Sequence, residues 1–454
     1  MKPSFVKRFS LVGRPLVRGT VILTVTGLIT RIIGFFYRIY LSRLFGEEGM
    51  GIYQLLSPVL SLSFSLCAAT YQTAISKFVA ESTSCGRERF RPLISGLLIS
   101  IPLSFLCCAV LLCKADFIAT KLLLEPRTAS MLRILAFSIP FSSIHACING
   151  YFYGIKQTGP PAISQLLEQL TRVGCVYLTT AHLLCHGRAP SIDVAVFGLA
   201  VGELASMCIC LFAVLRVYYK PQNTSGPSPW YRPYLFGPIL GMALPLTLNR
   251  IVLNLLQSVE AVSIPARLKL YGYDNATALS VYGVLTGMAM PMIFFPNALT
   301  NSVSVLLLPL ISESYAKGDM AAVKSAVMRT IKFCGVLGFL CMSGFLLSGN
   351  FIGTSLFNSP LAGHFITTLS FLCPFLYLDA TLSSILQGLG KAGTIFVMNV
   401  IALLLRLSFI FLAIPHFGIT GYLWGMLASQ IVLSLLYLLC LRIFLKKKLH
   451  KKSI

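Results

Sequence analysis

Charge is scarce in this chain, and negative charge is scarcest: of 454 residues only 11% are charged, and 14 aspartates and glutamates face 37 lysines and arginines. An ordinary soluble chain carries about a quarter of its residues charged, so a water-covered surface of normal composition is excluded. No Gly-x-x-x-x-Gly-Lys-Ser/Thr phosphate loop is present and no soluble domain is large enough to bind ATP, which argues against direct ATP hydrolysis. A His-Glu-x-x-His motif, a nucleophile elbow and an acid-base pair in an aqueous domain are missing too, so the chain reads as a non-enzyme that needs no cofactor. The 14 cysteines lack zinc-type spacing. Most, such as Cys107, Cys108, Cys208 and Cys210, fall in apolar stretches and read as small packing residues. The basic start is followed by an apolar stretch too long for a signal-peptide core and without a clear cleavage site, so it reads as a retained first helix.

What the sequence does have is apolar surface. Hydrophobic residues make up 56% of it, in blocks of roughly twenty, long enough to cross about 30 Å of hydrocarbon as helix. They do not alternate like the strands of a barrel, which leaves helices as the spanning element. The expectation is an all-α membrane protein of about twelve transmembrane helices, near residues 19–45, 51–75, 92–113, 129–152, 161–185, 192–217, 235–258, 277–310, 327–348, 364–387, 393–414 and 419–444. A formal charge of +23 would suggest nucleic acid in a soluble protein. Here it sorts by segment: Lys2, Lys7, Arg8, Arg14 and Arg18 at one end, Arg442, Lys446, Lys447, Lys448, Lys451 and Lys452 at the other. With these spans the cytoplasmic loops and ends hold roughly two dozen Lys and Arg against about six opposite, so both termini and the linker near Ser225 are expected in the cytoplasm. Nucleic acid is not an expected partner.

The polar, turn-rich run Pro221–Trp230 divides the chain into an N-terminal lobe at 1–218, a linker at 219–234 and a C-terminal lobe at 235–454 with a basic tail. The halves share landmarks in order. Phe137-Ser-Ile-Pro140-Phe141 answers Phe371-Leu-Cys-Pro374-Phe375; Gly154, Lys156 and Gly159 answer Gly390, Lys391 and Gly393; Gly198-Leu-Ala-Val-Gly202 answers Gly421-Tyr-Leu-Trp-Gly425. One small-residue ladder is weak evidence because such ladders let any two membrane helices approach. The shared order is stronger, and it predicts two pseudo-symmetric six-helix lobes.

The opening Gly27-Leu-Ile-Thr-Arg31-Ile-Ile-Gly34-Phe and Gly49-Met-Gly51-Ile-Tyr53-Gln resemble the stage V sporulation protein B group of polysaccharide transporters. So do Leu244-Pro245-Leu-Thr-Leu-Asn-Arg250, Tyr282-Gly-Val-Leu-Thr-Gly287-Met-Ala-Met-Pro291 and Leu308-Pro-Leu-Ile-Ser-Glu313. That group belongs to the multidrug, oligosaccharidyl-lipid and polysaccharide exporter superfamily, which also holds lipid II flippases and multidrug extruders. The resemblance implies two lobes around a central cavity, transport by alternating access, and a bacterial cell-membrane location with roles in polysaccharide, cell-wall or spore-cortex synthesis. There is no room for the thirteenth and fourteenth helices that some relatives carry. Lipid II flippases have Ser-Arg-x-x-Gly-Phe-x-Arg-Asp on the first helix; here Arg31 matches and Arg38 is displaced by one. Their second-helix arginine pair is replaced by apolar and hydroxyl residues around Ser61 to Ser65.

Ionisable side chains at membrane depth are costly and usually face protein or water. Arg31 and Arg38 stand seven apart, two turns along one face. Arg250 lies on the seventh span with Asn249 and Asn254. The planar guanidinium fork suits phosphate oxygens, so these five are the candidate contacts for the pyrophosphate of a lipid-linked sugar. A bland alternative is snorkelling of Arg38 and Arg43 to the membrane surface. Glu168 and Arg172 have the spacing of an intrahelical ion pair. Asp379 is expected either to bind a coupling sodium or proton or to neutralise Arg406, with the salt bridge favoured; Asn399 lies on the same helix as Arg406.

Three functions compete. A flippase passes a polyprenyl-pyrophosphate sugar through the cavity while its tail stays among the membrane lipids, driven by sodium, protons or the membrane potential. A multidrug cation antiporter needs acids where the first helix offers arginines. A membrane polymerase or ligase of lipid-linked sugars needs a substantial external loop, yet those around Lys114–Thr128 and Glu260–Asn275 are short and lack clustered carboxylates. The flippase, acting as a monomer, is the favoured expectation.

Overall fold

A computed structural model describes residues 14–82, 89–219 and 235–450. The chain ends at 1–13 and 451–454, and the linker beyond Tyr219, including Ser225, lie outside the described residues. The rest is helical. The first six rods are α1 (Arg14–Gln54); α2 (Ser57–Phe64), a π-turn (Ser65–Ala69) and α3 (Thr70–Glu81); α4 (Arg91–Phe117) with a π-turn (Ile118–Leu122); α5 (Thr128–Gly154); α6 (Gly159–Cys185); and α7 (Asp193–Tyr218). The next six are α8 (Phe236–Tyr271); α9 (Asn275–Gly283), a π-turn (Val284–Ala289), α10 (Met290–Phe294) and α11 (Asn297–Ala316); α12 (Met320–Phe357); α13 (Pro360–Leu369), a 3₁₀ turn (Ser370–Leu372) and α14 (Cys373–Gly388); α15 (Ala392–Leu412); and α16 (Ile414–Phe417) with α17 (Ile419–His450).

Among the described residues ten helices are long and apolar enough to cross a membrane; the second and fifth rods are not among them. Large apolar side chains cover the outside, Leu347 89% exposed and Phe212 69% exposed, which hydrocarbon accepts and water would not. Local rules set the helix ends. Prolines occupy the first turns of α4, α6 and α13, where an N–H is not needed. Asp274, Asp319 and Ser359 cap α9, α12 and α13 by accepting from Ala276 N (3.2 Å), Ala322 N (3.0 Å) and Ala362 N (3.1 Å). The Thr277 hydroxyl and the backbone N–H groups hold the Asp274 carboxyl below its ordinary range.

By their contacts the helices fall into two units, one holding the chain as far as Tyr37 with Leu56–Leu255, the other Arg38–Leu55 with Leu256–Ile454. The division falls inside two continuous helices, α1 and α8. The first unit is centred on α5, whose Tyr151 stacks on Phe90 at 4.7 Å, with Tyr71, Ile75, Cys210 and the α8 residues Ile239 and Ala243 in the same core. The second is centred on α14, where Leu382, Ile385 and Leu386 meet Ile311, Val327, Ala402 and Tyr437.

The sequence repeat has a physical counterpart, with one change of register. After α5, Lys156 N bonds Tyr153 O (3.1 Å) and Gln157 N bonds Phe152 O (2.9 Å); after α14, Gly390 N bonds Gln387 O and Lys391 N bonds Leu386 O, both 2.9 Å. Both are Schellman ends, and the left-handed residue is Lys156 (φ 60°) in one and Gly390 (φ 74°) in the other. Lys391 therefore answers Gln157 rather than Lys156. Pro374 follows Pro140 by 234 residues and Gly390 follows Lys156 by 234, so the corrected register is uniform. The ladders behave alike: Gly198 and Gly202 lie against α6, while Gly421 lies against Ala413 at the junction of α15 and α16, and Gly425 against Phe409 of α15.

Close backbone approach decides one crossing in the second unit. A Cβ on Gly283 would collide with Glu47 O and Gly51 N, and one on Gly51 with Leu279 O. Gly283→Ala should cost about 1–3 kcal/mol by forcing α1 and α9 apart. Gly335→Ala, facing open space, should change little. Thermal midpoints of the purified variants in detergent check this; equal midpoints would refute it.

Candidate functional site

Each unit buries polar and charged side chains, two of them at equivalent positions. In the first, Arg172 Nη2 lies 2.5 Å from Glu168 Oε1, a pair that α6 brings onto one face by four-residue spacing. α5 adds His145, whose Nδ1 stands 3.1 Å from Glu203 Oε2 on α7. The ligating atoms of His145, Glu168 and Glu203 gather within 4.8 Å of one another. The ladder permits this, because a Cβ on Gly202 would press on Glu168 O and Arg172 Cβ.

In the second unit Arg406 on α15 bonds Glu260 Oε1 (3.3 Å) and Ser429 Oγ (3.1 Å), and Tyr422 OH donates to the same Glu260 oxygen at 2.7 Å. Asp379 instead accepts from Gln430 Nε2 (2.5 Å) and Ser434 Oγ (2.7 Å). The expected Asp379–Arg406 salt bridge is thus replaced by Arg406–Glu260. Glu260 lies in α8, which runs to Tyr271 through the segment expected to be an external loop. Beyond residue 258 the helix accommodates two of its charges through partners: Glu260 pairs with Arg406, and Arg267 packs over the Phe411 ring at 4.6 Å. Asn399 donates to Ile395 O on its own helix (3.0 Å).

The clusters share the 234-residue register: Arg406 follows Arg172, and Asp379 follows His145. His145, Glu203 and Glu260 are site residues that sequence reasoning missed. The available signal was their ionisable side chains inside apolar stretches, Glu203 directly after the Gly198–Gly202 ladder.

The cationic residues divide. Arg31, Asn249 and Arg250 are exposed and Arg38 is half-buried, and among the described residues none of the four makes a hydrogen bond or ion pair. Arg31 and Arg250 belong to the first unit, Arg38 to the second. Asn254 is held by Ser61 O (3.2 Å) and Ser65 Oγ (2.7 Å) at the π-turn. Arg43, offered to the membrane surface by the sequence reading, instead donates to Ser355 O (2.6 Å) and Leu356 O (2.8 Å) at the end of α12, as suits a cation at a helix C-terminus.

The described residues thus form an all-helical, multi-span protein with a buried charge cluster in each unit. The chain matches the model of the family described as polysaccharide biosynthesis protein over residues 16–315, and the MatE model over 245–412. It is 28% identical over 432 residues to stage V sporulation protein B of Bacillus subtilis (strain 168), covering 92% of this chain and 82% of that one. Its fold is similar to that of lipid II flippase MurJ in an inward closed conformation, TM-score 0.72 at 15% identity, over 93% of this chain and 87% of the other. It also resembles an inward-facing multidrug resistance MATE family transporter of the MOP superfamily, TM-score 0.69 at 15% identity, over 94% and 96%. The chain belongs to the polysaccharide biosynthesis protein family, and its fold is that of a multi-span helical membrane protein.

Proposed function

We propose that the protein is a flippase that carries a polyprenyl-pyrophosphate-linked sugar across the bacterial cell membrane by alternating access, for cell-wall, spore-cortex or other polysaccharide synthesis. The observation that carries this reading is the pair Arg31 and Arg250, guanidinium groups on the first and seventh rods without a protein partner among the described residues. An unpaired cation in a membrane helix is expensive, and a pyrophosphate offers the oxygens its fork matches. Similarity to stage V sporulation protein B and to the fold of a lipid II flippase supports the same class of cargo. The N-terminus, the linker and the basic tail face the cytoplasm in this reading, and one chain suffices.

A cation antiporter fits less well. From Arg14 to Gly46 in α1, and from Phe236 to Val259 in α8, there is no acid to attract a cationic drug. The test is reconstitution in vesicles loaded with a lipid-linked sugar, followed by its accessibility to an added enzyme. Faster exposure than in protein-free vesicles is expected. Exposure at the protein-free rate, with efflux of organic cations, would instead establish the antiporter.

A further inference from the structure

The first unit's cluster does not balance its charge. Glu168 and Arg172 cancel, which leaves Glu203 with an imidazole for its neighbour. His145 is 9% exposed. Although its Nδ1 approaches Glu203 Oε2 to 3.1 Å, the two are off the hydrogen-bonding direction, and neither atom has another hydrogen-bond partner among the described residues. Ser206, one turn beyond Glu203 on α7, also keeps a buried hydroxyl without a partner there. The second unit differs at the matching places. Arg406 has its own carboxylate in Glu260, the position 223 residues after Glu203 is Met426, and the remaining acid, Asp379, is held by the neutral donors Gln430 and Ser434 rather than by an imidazole.

We propose that His145, Glu203 and Glu168 form an exchangeable proton site, with Arg172 as its fixed counter-charge, and that filling and emptying this site is a step of the transport cycle. With imidazole neutral, two carboxylates and one guanidinium sum to a single negative charge; one proton brings the cluster to zero, which a low-dielectric interior favours. The proton belongs to the group as a whole, because sites this close titrate together. A metal ion fits less well. Glu168 is already engaged by the guanidinium, which would repel a second cation, and sodium-like hard cations favour all-oxygen shells over imidazole nitrogen.

The groups acting on His145 are Glu203 from α7 and Glu168 from α6, the latter paired with Arg172; α2, α3, α4 and the π-turns at Ser65–Ala69 and Ile118–Leu122, which also pack on α5, bring no ionisable group to bear on it among the described residues. Cys210, farther along α7, is turned to Asn149 Oδ1 at 3.4 Å. Because the cluster ties α5, α6 and α7 together, its charge state governs how firmly α7 is held to the other two.

The proton site stands on this geometry, and its link to cargo movement rests on the flippase reading, so the test has two readouts. In nanodiscs, the imidazole resonance lost in His145→Gln should titrate in the parent protein and shift its titration in Glu203→Gln. In vesicles, transport of a pyrophosphate-linked sugar should change by up to about tenfold per pH unit along one limb, as expected for one proton, and the limb should flatten in both variants. If Glu203→Gln does not fold, Glu203→Asp keeps the carboxylate and should displace the titration rather than abolish it. An imidazole titration unaffected by either Glu203 variant would overturn the site, as would a sodium requirement in place of the pH limb. A pH limb unchanged in both Gln variants would overturn its part in transport. A clear titration in a parent protein that moves no lipid-linked sugar would retain the proton site and reject the flippase reading.

Discussion

Replacing Arg406 with methionine should remove most of the folded protein from the membrane, and replacing Arg406 and Glu260 together with methionines should restore much of it. Both side chains are buried, 18% and 10% exposed, and each is the other's counter-charge. Removing one leaves the other uncompensated, at a cost of about 3–5 kcal/mol, against total stabilities of about 5–15 kcal/mol for folded domains. Removing both leaves only Ser429 and Tyr422 to find new partners. Size-exclusion profiles and thermal midpoints in detergent measure the effect. A double variant no better than the single one would show that the pair is not a coupled unit.

The second large effect belongs to Arg31 and Arg250, where stability and function should separate. Neither has a protein partner among the described residues, so Ala at either position should leave folded protein and its melting temperature near those of the parent. If the missing counter-charge is a cargo phosphate, each change should weaken cargo binding by about tenfold to a hundredfold, the worth of one hydrogen-bonded charged contact. Lysine should recover only part of that, since it keeps the charge and loses the fork. Binding of a pyrophosphate-linked lipid by microscale titration, with transport in vesicles, checks both statements. Unaltered binding and transport in both Ala variants would dismiss these arginines as cargo contacts.

The contrast between these predictions follows what was legible in the sequence. Apolar blocks show where helices lie, because lipid rewards each block separately; hence the rods and the proline-bearing α5 and α14 were found. Short-range pairs were legible too, since Glu168 and Arg172 meet by helix periodicity alone. Long-range pairing was not. Hydropathy registers Glu260 as a break in an apolar run and cannot see Arg406, 146 positions away. Without that partner a loop was the natural reading of residues after 258, and Asp379 the natural mate for Arg406. His145 was hidden for a related reason: a lone histidine in an apolar helix gains meaning only from what α7 places beside it. Arg43 shows the same limit at a helix end, its acceptors lying more than 300 residues away.

The π-turns carry information of another kind, about how far the two halves correspond. Each records a residue too many for a regular α-helix, and such turns are rare. One stands in the second of the first six rods, at Ser65–Ala69, and one in the second of the last six, at Val284–Ala289. In the first, the carbonyl of Cys67 accepts from Ser100 Oγ (2.5 Å) and Ser143 Oγ (3.0 Å); near the second, Tyr377, which follows Ser143 by 234 residues, donates to Ile293 O (3.0 Å). The π-turn at Ile118–Leu122 in the third rod has no counterpart in the ninth among the described residues. The two halves thus share one irregularity and differ in its neighbour, so the repeat extends to a helix defect as well as to helix order.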